Sequence, residues 1–112
     1  MPRAPNRSGE VVAVHQPNPW GMSARKWDAD GTYRPLETSA PGYFSEVSAI
    51  NDAGQSVGYA GGPVRWSREG ARTALPLPAG ANGDTVRFIN ESGTAAGQIY
   101  LDNHTYATVW RP

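Results

Sequence analysis

One short motif occurs three times along this 112-residue chain, and its spacing constrains the fold more than any other feature. The copies read NRSG (residues 6–9), NDAG (51–54) and NESG (90–93). A tryptophan follows each copy, at Trp27, Trp66 and Trp110. The step from Trp27 to Asn51 is 24 residues, and so is the step from Trp66 to Asn90. Self-similarity at a period of about 40 residues indicates a repeat protein.

The middle copy shows how one unit divides into strands. EVSAI alternates, which places Val47 and Ala49 on one face, and in NDAG the glycine Gly54 takes the positive φ of a tight turn. QSVGYA is predicted as the return strand, with Gly58 marking the close approach of another backbone. PVRW and RTALPL are the third and fourth strands, joined by the turn SREG. Each unit therefore contains four short antiparallel strands.

Strands of this number and length favour an all-β fold of β-propeller-like blades over a sandwich or a solenoid. The predicted blades span about residues 1–42, 43–82 and 83–112 of a single repeat domain, and the third blade is incomplete. The recurring tryptophans, with Leu36 and Leu75, are predicted to pack between blades. About 2.75 blades do not close a ring, which takes roughly four to eight. We therefore expect a homo-oligomer that completes the ring.

The motif also carries a family resemblance. AINDAGQSVG, followed by a strand ending in Trp66 and a strand containing Leu75, resembles the HAF-type bacterial repeat, most closely over residues 47–110. The resemblance implies blade-like repeats, a bacterial origin and an extracellular location, but no defined activity. The opening MPRAPNRSGE has no apolar core of a secretion signal, so the location stays open.

Composition narrows the possible partners. Ten basic and ten acidic residues balance, which gives no electrostatic reason to expect nucleic acid or an anionic membrane. No apolar run approaches the roughly 20 residues that span a bilayer. The chain has no cysteine, which excludes disulfides and thiolate metal sites.

The three units differ most between their second and third strands. The second unit joins these strands with AGG, whereas the first inserts HQPNPWGMS and the third inserts IYLDNHTY. Both insertions are expected to form long loops on one rim, and variable loops on a constant scaffold commonly carry function. The predicted ligand-binding residues are His15, Asn18, Trp20, Tyr100, Asp102, Asn103, His104 and Tyr106. Aromatic rings beside amides and carboxylates suit a carbohydrate or another small molecule.

No metal or cofactor site is predicted. DADG at residues 28–31 resembles the start of a calcium loop but aligns with the turn SREG, and the two histidines lie on different blades. The sequence thus favours a non-catalytic binding or scaffold module. Two alternatives remain: a hydrolase or lyase using Asp102 and His104, or a structural segment of a larger propeller.

Overall fold

The computed structural model describes residues 2–18, 21–36 and 45–112, with side chains except at 2–4, 15–18, 21–22, 34 and 83–84. These residues form an all-β structure of three small antiparallel sheets and contain no helix. The first sheet comprises β1 (Pro2–Pro5), β2 (Val11–Asn18), β3 (Gly21–Trp27) and β4 (Tyr33–Pro35). The second comprises β5 (Glu46–Ile50), β6 (Ser56–Tyr59), β7 (Pro63–Trp66) and β8 (Arg72–Ala74). The third comprises β9 (Asn82–Ile89), β10 (Ala95–Leu101) and β11 (His104–Trp110).

Each sheet is a meander in which consecutive strands pair, so the strand order follows the sequence. The predicted four-strand pattern of the middle unit is therefore present, although RTALPL contributes only the three residues Arg72–Ala74 to a strand. The third sheet has three strands. Among the described residues no helix is long and apolar enough to cross a membrane.

The three asparagine motifs fold into the same turn between the first and second strands of each sheet. In the middle turn the amide of Gly54 donates to the Asn51 carbonyl, and the Asn51 side-chain oxygen accepts from the Gln55 amide at 2.9 Å. Gly54 has a φ of 84°, as the sequence predicts. The corresponding bonds recur at Asn6 and at Asn90. A short polar residue with a glycine three positions later is therefore sufficient to determine this turn locally.

A bulge interrupts the first strand of every sheet. In β5 the bulge contradicts the expectation that Val47 and Ala49 lie on one face. The register shifts between Val47 and Ala49, which pair with the adjacent residues Gly58 and Val57. Ser48 is thus the extra residue, and Val47 and Ala49 lie on opposite faces rather than on one. The same shift occurs between Pro2 and Ala4 and between Val86 and Phe88.

Glycine is required opposite two of these bulges because the strands approach closely there. A Cβ at Gly58 would lie 1.9 Å from the Glu46 carbonyl oxygen, and one at Gly97 would lie 2.0 Å from the Thr85 carbonyl oxygen. Neither distance is compatible with a side chain. The close approach predicted at Gly58 is confirmed.

Packing between the sheets produces two hydrophobic clusters, one on each face of the second sheet. The first cluster consists of Val12, Val14, Ala24 and Leu36 of the first sheet with Val47, Ala60, Val64 and Trp66 of the second. The other consists of Val57 and Leu75 of the second sheet with Val86, Ala95, Ile99 and Trp110 of the third. Four of the predicted core positions, Leu36, Leu75, Trp66 and Trp110, are fully or almost fully buried here. Trp27 belongs to neither cluster and is only half-buried, unlike its two counterparts.

A buried ion pair lies between the first and second sheets. The Lys26 ammonium is 3.2 Å from the Glu10 carboxylate, and both side chains are almost completely buried. Lys26 also donates to the backbone carbonyl of Arg68 on the second sheet. Burial raises the pKa of Glu10, but hydrogen bonds from Asn6 and Lys26 and the charges of Lys26 and Arg68 outweigh it and lower the pKa overall.

Candidate functional site

The insertion of the third unit folds as an extension of a β-hairpin. Strands β10 and β11 pair without interruption, from Ala95 opposite Trp110 to Leu101 opposite His104. The two residues between them, Asp102 and Asn103, have φ values of 51° and 65°, which is the geometry of a type I′ hairpin turn. The long loop expected from the sequence is therefore wrong, because IYLDNHTY continues two strands and turns in two residues.

The pairing of this hairpin divides the predicted site between two faces. Ile99, buried against the second sheet, pairs with Tyr106, and Leu101 pairs with His104, so Tyr106 and His104 lie on that same face. Their rings make an edge contact with centroids 6.3 Å apart. Tyr100 lies on the opposite face.

Two of the remaining predicted residues form the end of the hairpin. The Tyr100 hydroxyl lies 3.3 Å from the Asn103 side-chain oxygen, to which it donates a hydrogen bond. Asp102 and His104 are both exposed, and within the described part of the chain no hydrogen bond or ion pair joins them. The carboxylate–histidine pair that a hydrolase or lyase would need at this point is therefore not assembled.

The insertion of the first unit is likewise part of a hairpin. His15 pairs with Ser23 and Asn18 pairs with Gly21 across strands β2 and β3. The side chains of His15 and Asn18, and all of Trp20, lie outside the residues that the structure describes. Their predicted contact with a ligand stays a prediction.

A different concave site lies between the first strands of the second and third sheets. It is a groove of about 280 Å³ lined by Glu46 and Ser48 of β5 and by Thr85, Arg87 and Phe88 of β9. The lining combines a carboxylate, a guanidinium, two hydroxyls and an aromatic residue. Such a mixture of a few polar groups with an apolar surface is typical of a site for a small polar molecule.

The bulges provide two of these residues. Ser48 and Arg87 are the extra residues of β5 and β9, so each is left out of the regular pairing of its strand. A bulge bends its strand and changes the direction of the side chain at that point, and bulges are frequent beside binding sites. The two bulges are adjacent because β5 contacts β9 directly.

Two polar groups at the groove have no partner among the described residues. The Thr85 hydroxyl is buried and has no hydrogen bond in the structure. The exposed Arg87 guanidinium makes neither a hydrogen bond nor an ion pair within the described part of the chain. An unsatisfied buried hydroxyl costs roughly 1–3 kcal/mol, so a ligand that accepts from it or donates to it gains affinity. Across the described ranges no cluster of three or more histidine or acidic side chains is arranged to hold a metal ion.

Sequence reasoning missed this groove because its two halves, residues 46–48 and 85–88, are 37 or more positions apart and do not form a motif. One local signal was available: Ser48 and Arg87 occupy the same position, three residues before the motif asparagine, and both are polar within otherwise apolar-rich strands. This pattern indicates a strand position that does not face either core.

In comparisons with known proteins, no family model, no curated protein and no solved structure matches this chain. The class that the fold defines is an all-β protein of three small antiparallel sheets.

Proposed function

We propose that this chain is a non-catalytic binding module, built of propeller-like blades of the HAF type, which binds a small acidic carbohydrate in the groove between β5 and β9. The observation that carries the proposal is the buried, unpaired Thr85 hydroxyl in a groove that also contains the unpaired Arg87 guanidinium. The buried Thr85 hydroxyl lacks a partner among the described residues, and the exposed Arg87 guanidinium can bind an anionic group.

The chemistry of the groove suits a sugar acid. A guanidinium binds a carboxylate through two parallel hydrogen bonds, which Arg87 is free to donate. The hydroxyls of Ser48 and Thr85 and the Glu46 carboxylate match the sugar hydroxyls, because hydroxyl groups both donate and accept. The exposed ring of Phe88, 67% accessible, offers an apolar surface for the C–H face of the sugar.

The size of the groove favours a single sugar unit over a polymer segment. Pockets for drug-sized ligands measure about 300–1,000 Å³, and this groove of about 280 Å³ lies just below that range. The predicted ligand-binding residues His104 and Tyr106, on the β10–β11 hairpin, are not among the residues that line the groove.

The propeller-like arrangement is supported by the way in which the sheets stack. β1 contacts β5, and β5 contacts β9, so the first strands lie side by side on one side of the stack. In a propeller these strands line the central axis, where ligands are commonly bound. The groove lies between two of them.

Calorimetric titration tests this function with D-galacturonic and D-glucuronic acid and, as neutral counterparts, D-galactose and D-glucose. We expect at least one acid to bind the wild-type chain, and Arg87→Gln to weaken that binding by about tenfold or more, as loss of a charged hydrogen bond predicts. Thr85→Val should weaken it as well. Arg111→Gln, which removes an exposed arginine outside the groove, is the matched control and should leave binding unchanged.

Failure to bind any of the four sugars would overturn the proposed ligand class. Binding that survives both groove substitutions unchanged would place the site elsewhere, with the β10–β11 hairpin as the next surface to test by Tyr106→Ala.

A further inference from the structure

The outward side of the third sheet has the composition of a buried interface. Phe88, Ala96 and Val109 pair across its three strands and face away from the second sheet; we refer to them as the tail face. Phe88 is 67% exposed and Val109 is 56% exposed. Ala96 is the sixth residue after its motif asparagine, and the corresponding residues Val12 and Val57 are completely buried against the next sheet.

Hydrogen bonds join the three asparagine turns into a ladder. Among the described residues, one polar group at each end of this ladder lacks the partner that the equivalent groups of the other turns have. The Asn6 side-chain amide donates to the Asn51 carbonyl at 2.9 Å, and the Asn51 side-chain amide donates to the Asn90 carbonyl at 3.1 Å. The Asn90 side-chain amide donates to none of the described residues. From the described residues the Asn6 carbonyl accepts one bond, from the Gly9 amide, whereas the Asn51 and Asn90 carbonyls each accept two.

The charges at the two ends of the ladder are opposite. The residue after each motif asparagine is Arg7, Asp52 or Glu91. Within the chain, the Arg7 amide donates to the Asp52 carboxylate and the Asp52 amide donates to the Glu91 carboxylate. The terminal positions of the ladder therefore carry Glu91 beside the tail face and, at the other end, the exposed Arg7, whose guanidinium lies 3.5 Å from the Asp52 carboxylate of its own chain.

The first sheet presents a matching apolar surface on the side away from the second sheet. Val11 pairs with Trp27, and Trp27 pairs with Tyr33, so the three share this side; we refer to them as the head face. Val11 and Trp27 are only half-buried, and Tyr33 is 48% exposed. The residues that correspond to Val11, Ser56 and Ala95, are completely buried by the preceding sheet.

We propose that the tail face binds the head face of a second copy of this chain. The contact repeats the packing already present twice within the chain, with the Asn90 side-chain amide donating to Asn6 of the second copy and Glu91 facing its Arg7. Such an interface is heterologous, since two different surfaces meet. Two chains bring six sheets together, within the roughly four to eight that close a propeller. This inference does not rest on the proposed ligand, although Phe88 belongs to both the tail face and the lining of the groove.

Light scattering after size exclusion tests the association on the full chain. We expect a mass of twice the 12.0 kDa monomer for the wild-type chain. Ala96→Glu on the tail face and Val11→Glu on the head face should each lower the mass to that of the monomer, because each places a charge at the centre of an apolar contact. Ala74→Glu, at an exposed alanine of β8, is the matched control and should remain dimeric. Val109→Asn, a milder change at an exposed position, should shift the dimer to monomer on dilution.

A mixing experiment distinguishes head-to-tail contact from contact between two identical faces. The Ala96→Glu chain retains an intact head face, and the Val11→Glu chain retains an intact tail face, so an equimolar mixture should form a heterodimer through one remaining interface. A wild-type chain that is monomeric at high concentration would overturn the proposal, and so would variants that dimerise as the wild type does. A mixture that stays monomeric would overturn the head-to-tail arrangement. Sugar binding, measured on the monomeric variants, reports separately on the groove.

Discussion

The side-chain amide of Asn51 donates a hydrogen bond to the backbone carbonyl of Asn90, 3.1 Å away and 39 residues later in the sequence. Asn51 is 1% exposed, and its amide also bonds to the side chain of Gln55 within its own turn. One buried side chain therefore stabilises a turn of the second sheet and attaches it to the third. The stability of each turn depends on its neighbour.

Asn51→Asp should be destabilising, whereas Asn90→Asp should be close to neutral. Both changes retain the oxygen that accepts bonds from the turn, but only Asn51 uses its amide as a donor and is buried. Removal of that donor leaves the Asn90 carbonyl facing a buried carboxylate, at a cost of at least about 2 kcal/mol. Denaturant unfolding, at a concentration at which the chain is monomeric, measures the difference; equal losses would contradict the ladder.

Trp66→Ala should reduce stability far more than Trp27→Ala. Trp66 is completely buried in the cluster between the first and second sheets, and truncation of a large core residue costs roughly 3–5 kcal/mol. Trp27 occupies the corresponding position but is half-buried, so it loses less contact. The free energies of unfolding of the two variants provide the comparison, and similar small losses would disprove the core assignment.

Gly54→Val should cost more stability than Gly31→Val. Both glycines have a positive φ, 84° and 89°, which a β-branched residue adopts only with a strain of about 1–3 kcal/mol. At Gly54 a Cβ would in addition lie 2.8 Å from the Cγ of Arg68, while at Gly31 no atom lies within 4 Å. Melting temperatures of the two variants separate backbone strain from crowding. A neutral Gly31→Val would show that the turn does not need glycine.

Acid should destabilise the chain partly through Glu10. Because the pKa of Glu10 in the folded chain lies below its ordinary value of 4.5, the ionised carboxylate stabilises the fold above that value. This contribution is lost as the pH falls through the lowered pKa. Glu10→Gln should therefore be less stable than wild type at neutral pH, and its unfolding free energy should fall less between about pH 5 and pH 3. If the unfolding free energies of the wild type and of Glu10→Gln changed with pH in the same way, Glu10 would not contribute to the acid sensitivity.

The local features of the fold were predictable from the sequence. The three turns depend on an asparagine and a glycine three residues apart, and the buried tryptophan and leucine positions recur with them. The bulges were not predictable, because EVSAI reads as regular alternation while the extra residue Ser48 places Val47 and Ala49 on opposite faces. A single added residue changes which side chains face which sheet, and the polar residues at the equivalent positions 48 and 87 are the one local sign of it.

The candidate site was less accessible to prediction than the fold. The groove depends on the contact between β5 and β9, which are separate in sequence, and on a hydroxyl, that of Thr85, whose lack of a partner is visible only in three dimensions. The sequence placed the predicted residues of the third unit in a long loop, whereas they lie on the two strands and the turn of a hairpin. These residues lie on two faces of the sheet because the segment pairs as a hairpin, whereas the sequence pattern predicted a loop there.

The two-residue turn at Asp102 and Asn103 has a consequence for how such a chain can change its length during evolution. Because side chains alternate between faces, adding one residue to each strand of the hairpin transfers the outermost aromatic residues to the other face, and adding two to each restores them. The hairpin of β2 and β3 has one residue more than equal lengthening of both strands allows. This extra residue is accommodated by a shift of the pairing register between His15 and Asn18. Insertions that add two residues to each strand lengthen this hairpin with its faces preserved, whereas an odd insertion must be accommodated by a bulge or by a longer turn.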